Sequence, residues 1–147
     1  MNFMKGTFAA VSAFILARLG MLAPWAGVVI AAMVLDYITG MTAGWLSNTL
    51  SSRIGILGII KKLCCFVIIA VAMMADWAIW QAGAYLGIQT KIQGFLALLI
   101  IIWLLINELI SILENIGRIG VKYPEWLMNL LEHLKQTTES SGQDVLK

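Results

Sequence analysis

Between Trp25 and Trp45 the chain carries a single charged side chain, Asp36, inside an otherwise apolar run. The run is broken by a short stretch holding Ser51, Ser52, Arg53, Lys61 and Lys62, and then resumes. A soluble helix pair would show a polar face along its whole length. Here polarity is confined to one carboxylate and one cluster of positive charge, the pattern of a transmembrane hairpin with a cytoplasmic loop. Composition agrees: 61% of the 147 residues are hydrophobic and only 12% charged, where a soluble domain is about a quarter charged. One integral membrane domain with a soluble tail is expected, without room for a separate catalytic domain.

A helix needs ~20 apolar residues to span the hydrocarbon core at ~1.5 Å per residue. Trp25 and Trp45 lie roughly 30 Å apart along a helix and place one indole in each interfacial belt, with Pro24 tolerated in the first turn. Spans are expected over 25–46, 63–87 and 92–112, the last two joined by a polar turn at Gln89, Thr90 and Lys91. The first segment admits three readings: a secretory signal headed by Lys5, an interfacial helix, or a short span over 4–21 with Arg18 snorkelling outward. Charge placement favours the short span. With four crossings Lys5, the 47–62 loop and the C-terminal tail are all cytoplasmic, whereas three crossings would put Lys5 and Arg18 outside. The expected fold is an all-α integral membrane protein: a membrane domain over 1–116, an amphipathic helix region over 117–136 and a polar, disordered tail over 137–147.

From Asn107 the pattern changes. Asn107, Glu108, Ser111, Glu114, Asn115 and Arg118 recur at three- and four-residue steps as a polar stripe, with Glu114 and Arg118 placed for an i,i+4 pair. Gly117 and Gly120 then end the helix. After Pro124, Leu127, Leu130, Leu131 and Leu134 share one face of a helix suited to a membrane surface or a partner. Cys64 and Cys65 are adjacent and match no metal or redox spacing, so they read as small apolar residues. His133 has no second ligand in range, and neither a metal nor a cofactor is expected.

Three carboxylates, Asp36, Asp76 and Glu108, lie at or near membrane depth, where an ionisable group must face a partner helix or water. Asp36 and Asp76 read equally well as a polar pore lining and as hydrogen-bonding staples, while Glu108, near the cytoplasmic edge, reads as interfacial. Gly40 and Gly44 share the strip of Asp36, and Gly83 and Gly87 that of Asp76; both pairs have the G-x-x-x-G spacing that lets helices approach closely. No nucleophile–base–acid set or phosphate-binding loop is present, so an enzyme is not expected. The basic cluster is too sparse for nucleic acid.

Asp36-Tyr37-Ile38-Thr39-Gly40, then Ser51-Ser52-Arg53-Ile54-Gly55, then Gly58-Ile59-Ile60-Lys61-Lys62, resemble the phage holin family that includes clostridial toxin-secretion holins. Asn107-Glu108 through Ser111, Glu114 and Asn115, followed by Gly117, Gly120 and Pro124, extends the likeness to the second half. The resemblance implies a homo-oligomer in the bacterial cytoplasmic membrane that opens lesions at a set time and releases an endolysin or toxin, with an antiholin as a further partner. Two rival readings stand beside it: a small channel or transporter subunit using Asp36 and Asp76 as an ion path, and an antiholin-like regulator acting through the C-terminal helix.

Overall fold

The computed structural model describes residues 2–88 and 94–144. They form four helices in chain order, α1 (Asn2–Leu46), α2 (Ser52–Tyr85), α3 (Phe95–Ile119) and α4 (Glu125–Asp144), and no strand. Pro24–Leu46, Gly55–Tyr85 and Phe95–Ile119 are long and apolar enough to cross a membrane. α1 and α2 are apolar nearly all round, as lipid-facing helices are, whereas α3 and α4 are amphipathic. α3 is the central element and packs against each of the other three. The core joins Val29 and Met33 of α1, Ile69, Ala72 and Met73 of α2, and Ala97, Ile101 and Leu104 of α3.

Three expectations change. The short span over 4–21 is no separate crossing: it is the N-terminal half of α1, which continues through Pro24 to Leu46. Proline removes one backbone donor but can be accommodated inside a helix, as Pro24 is in α1. At 1.5 Å per residue α1 is about 68 Å long, roughly twice the hydrocarbon core.

The loop expected over 47–62 shrinks to residues 47–51. Asn48 ends α1 in the left-handed region (φ 53°), which Asn tolerates better than most residues. The Thr49 amide then donates to the Gly44 carbonyl at 2.9 Å. α2 starts at Ser52, so Arg53, Lys61 and Lys62 are helical. The polar turn expected at Gln89, Thr90 and Lys91 lies outside the described residues, as do Ile92, where the third span was placed to begin, and residues 145–147.

The C-terminal region is more ordered than its polarity suggests. α4 runs through residues 137–144 of the expected disordered tail, supported by hydroxyls that donate to carbonyls one turn back: Thr137 to His133 at 2.9 Å, Thr138 to Leu134 at 2.8 Å and Ser141 to Thr137 at 2.9 Å. α4 also folds back along α3. The Trp103 indole Nε1 donates to Glu139 at 2.9 Å, and a Cβ on Gly142 would lie 3.6 Å from the Leu99 side chain.

Candidate functional site: a charged cluster at mid-depth

The short turn sets the register of the α1–α2 hairpin. Asp36 and Lys62 stand thirteen residues before and after Thr49, so they meet at the same depth. The Lys62 ammonium donates to Asp36 Oδ2 at 2.9 Å and also to Glu108 Oε2 of α3. Asn115 Nδ2 donates to the other Asp36 oxygen at 3.0 Å and approaches the Thr39 hydroxyl at 3.5 Å. One cation thus ties two carboxylates, and three helices, together.

The cluster sits near the middle of the α1 and α3 spans, and its Lys62 is seven residues from the Gly55 end of the α2 span. Asp36 is twelve residues from Pro24 and ten from Leu46, and Glu108 is thirteen from Phe95 and eleven from Ile119. The side chains of Lys62, Asp36 and Glu108 are 18%, 16% and 12% exposed. In a low-dielectric surrounding each charge is tolerated because its partner is within contact distance.

A cleft of about 350 Å³ runs from the 47–51 turn inward to the cluster. Gly40 and Gly44 line its α1 side, Gly55 and Gly58 its α2 side, and Asn115 and Arg118 its α3 side. Small residues keep it open: a Cβ on Gly40 would lie 3.3 Å from Asn115 Nδ2, and one on Gly55 would lie 3.6 Å from the Tyr37 hydroxyl. Gly44 packs on Leu50 of the turn rather than on a second helix. Motif residues far apart in the chain, Asp36, Tyr37, Gly40, Ser51, Gly55, Gly58, Lys62 and Asn115, thus border one space.

Asp76 is elsewhere and does a different job. Its carboxylate, 9% exposed, accepts from the backbone amides of Leu96 at 3.0 Å and Ala97 at 2.8 Å. These are first-turn donors of α3, whose N-cap, Gly94, has no side chain to offer; Asp76 supplies the missing acceptor, and its charge suits the positive helix end. Gly83 is buried in α2. Gly87 (φ +72°) instead terminates that helix, with the Ile88 amide donating to the Gly83 carbonyl at 2.9 Å.

The remaining motif residues are peripheral. Ser52, Arg53 and Lys61 are exposed on the first turns of α2, and Ser111 is half-buried on α3. Asn107 bonds the Trp103 carbonyl of its own helix. Gly117 receives the Tyr123 ring, and Gly120 and Pro124 shape the turn into α4. Among the described residues the ion pairs are those of Lys62, so Glu114 and Arg118 do not pair. Sequence reasoning read Lys62 as a topological charge and a motif residue, and Asn115 as part of the polar stripe and a motif, and paired neither with Asp36. Equal spacing of Asp36 and Lys62 about a tight turn was the available signal.

Residues 13–136 match the family model described as the bacteriophage holin family. An uncharacterized protein of Halalkalibacterium halodurans is 35% identical over 108 residues, covering 74% of this chain and 76% of its own. One from Clostridium perfringens is 40% identical over 100 residues, covering 68% and 67%. A protein of Bacillus phage phi105 named "Probable holin" is 28% identical over 114 residues, covering 75% and 76%. No solved structure matches the chain.

Proposed function

The chain belongs to the bacteriophage holin family, and from that premise we propose that it acts as a holin rather than an enzyme. In this reading copies associate in the bacterial cytoplasmic membrane and then open lesions that release an endolysin or a toxin, timing lysis of the host cell. The observation that carries the reading is the Asp36–Lys62–Glu108 cluster at mid-depth, with a cleft leading to it from one end. In a single copy the one ammonium is shared by two carboxylates, and the cluster keeps a net negative charge. An assembly that admits water can hydrate them, so the polar interior favours a wet state that a purely apolar bundle would resist. Apolar outward faces on α1 and α2, such as Leu35, Ile38, Leu63 and Val67, suit lipid and neighbouring copies.

The orientation that fits is one with the 47–51 and 120–124 turns in the cytoplasm. Arg53, Lys61, Arg118 and Lys122 gather at that end, against Lys91 between α2 and α3 together with Lys5 and Arg18 at the start of α1. With three crossings the start of α1 lies on the opposite side.

Controlled expression in a bacterium with and without an endolysin tests the function. The expected outcome is abrupt collapse of membrane potential in both strains, and loss of turbidity only where the endolysin is present. Graded, ion-selective conductance without release of protein would instead favour a channel subunit.

A further inference from the structure

Around the molecule at bilayer depth, the outward surface changes character. α1 and α2 present Val34, Leu35, Ile38, Leu63, Val67 and Val71, all large, apolar and exposed. α3 is sheltered by its three neighbours, and Phe95 is the only large apolar residue exposed on it among the described residues. The fourth side is α4, whose exposed surface combines polar side chains with Trp126, Leu130 and Leu134.

α4 reaches this depth because it runs antiparallel along the spanning helix α3, as the Trp103–Glu139 bond and the Leu99–Gly142 contact fix. Leu131 is buried and Lys135, Thr138 and Gly142 are half-buried on its inner face. Two strips at four-residue steps stand out among its exposed residues, which also include Asn129, His133, Thr137 and Ser141. Trp126, Leu130 and Leu134 make an apolar edge, and Glu132, Gln136 and Ser140 a polar one, all exposed. Lipid cannot satisfy a carboxylate and an amide in the second strip. Water can.

We propose that α4 is a lining helix: in the assembled protein its Glu132–Gln136–Ser140 strip borders water at bilayer depth while α4 stays packed on α3, and its Trp126–Leu130–Leu134 edge meets lipid. This deepens the lesion-forming reading and rests on it, by naming the surface that faces the opening. The strip, not the charged cluster, is then the first surface that a passing solute meets. α1 and α2 form the outer, lipid-side wall.

The full chain, with Cys64→Ser and Cys65→Ser, is reconstituted in phosphatidylethanolamine/phosphatidylglycerol vesicles loaded with a self-quenched dye. One arm carries Leu99→Cys with Gly142→Cys, to lock α4 on α3 by oxidation. The other carries a bimane label on Gln136→Cys or Ser140→Cys, with Val67→Cys as the lipid-facing reference. The expected results are disulfide formation in the vesicles, dye release by the locked protein equal to that of the reduced one, and quenching of the Gln136 and Ser140 labels by aqueous iodide. The Val67 label should be quenched by brominated lipid instead. The inference is overturned if no disulfide forms, or if brominated lipid quenches the α4 labels. It is also overturned if locking abolishes release and reduction restores it, which would mean that α4 leaves α3 on opening. Absence of release from the unlocked, unlabelled protein would defeat the lesion-forming reading by itself, with disulfide yield and quenching still deciding where α4 lies.

Discussion

Lys62 holds an unusual position: one ammonium shared by Asp36 and Glu108 where three spanning helices meet. Removing one member of a buried ion pair leaves an uncompensated charge and costs about 3–5 kcal/mol. Lys62→Met leaves two carboxylates facing each other and is expected to destabilise the fold by that order. Adding Glu108→Gln should recover part of the loss, because only Asp36 is then unpaired and Asn115 still bonds it. Denaturant titration of the detergent-solubilised protein, read by tryptophan fluorescence, checks both. Recovery that fails in the double variant would mean that Lys62 acts through packing. Asp76 makes a separate case. Asp76→Leu deletes the acceptor for two α3 amides and should cost about 1–2 kcal/mol, the scale of a lost helix cap, plus the burial of unpaired donors. Asp76→Asn keeps a carbonyl and should lose less than half as much in the same titration.

At the scale of the element, each helix end is set by a local device. α1 stops at Asn48, α2 at Gly87 and α3 at Gly120, each with a positive φ, and Gly94, the fourth described position of that kind, precedes α3. At Gly120 (φ +98°) the Val121 amide reaches back to the Ile116 carbonyl at 3.2 Å, which closes α3 and aims the chain into α4. A Cβ there meets no neighbour, so Gly120→Ala should cost only the left-handed penalty of about 1–2 kcal/mol. The expected outcome is a lower Tm in detergent with helix content unchanged by circular dichroism. A loss of helix content as well would show that the α3–α4 turn supports α4 itself.

For the molecule as a whole, the proposed orientation rests on the turn-end basic residues. Ser52, exposed at the start of α2, is expected in the cytoplasm. In a background lacking Cys64 and Cys65, Ser52→Cys should resist an impermeant maleimide in intact cells before lysis and react once the membrane is permeabilised. Labelling from outside would invert the topology and transfer the cleft mouth to the outer face.

Class and spans were legible in the linear pattern, because the bilayer enforces runs of about twenty apolar residues whatever the packing. Residues 25–46 fall within α1, and α3 covers most of the expected 92–112 span, since hydrocarbon leaves the backbone no alternative to helix there. The family motifs were equally local and equally visible. What the pattern left open was every decision that depends on which surfaces meet. Pro24 reads as a possible start but lies inside a longer helix, since a proline says where a donor is missing and not where the chain turns. Lys61 and Lys62 look alike in sequence, yet one is exposed and the other bridges two acids, a difference made by helix register and by Glu108 arriving from α3. Asp36 and Asp76 also look alike; tertiary placement gives the first an ammonium and the second a pair of amides. α4 shows its amphipathic stripe in sequence, but its docking along α3 depends on side chains some forty residues upstream. Hydrophobic periodicity records how much surface must be hidden, and only the packed structure decides against what.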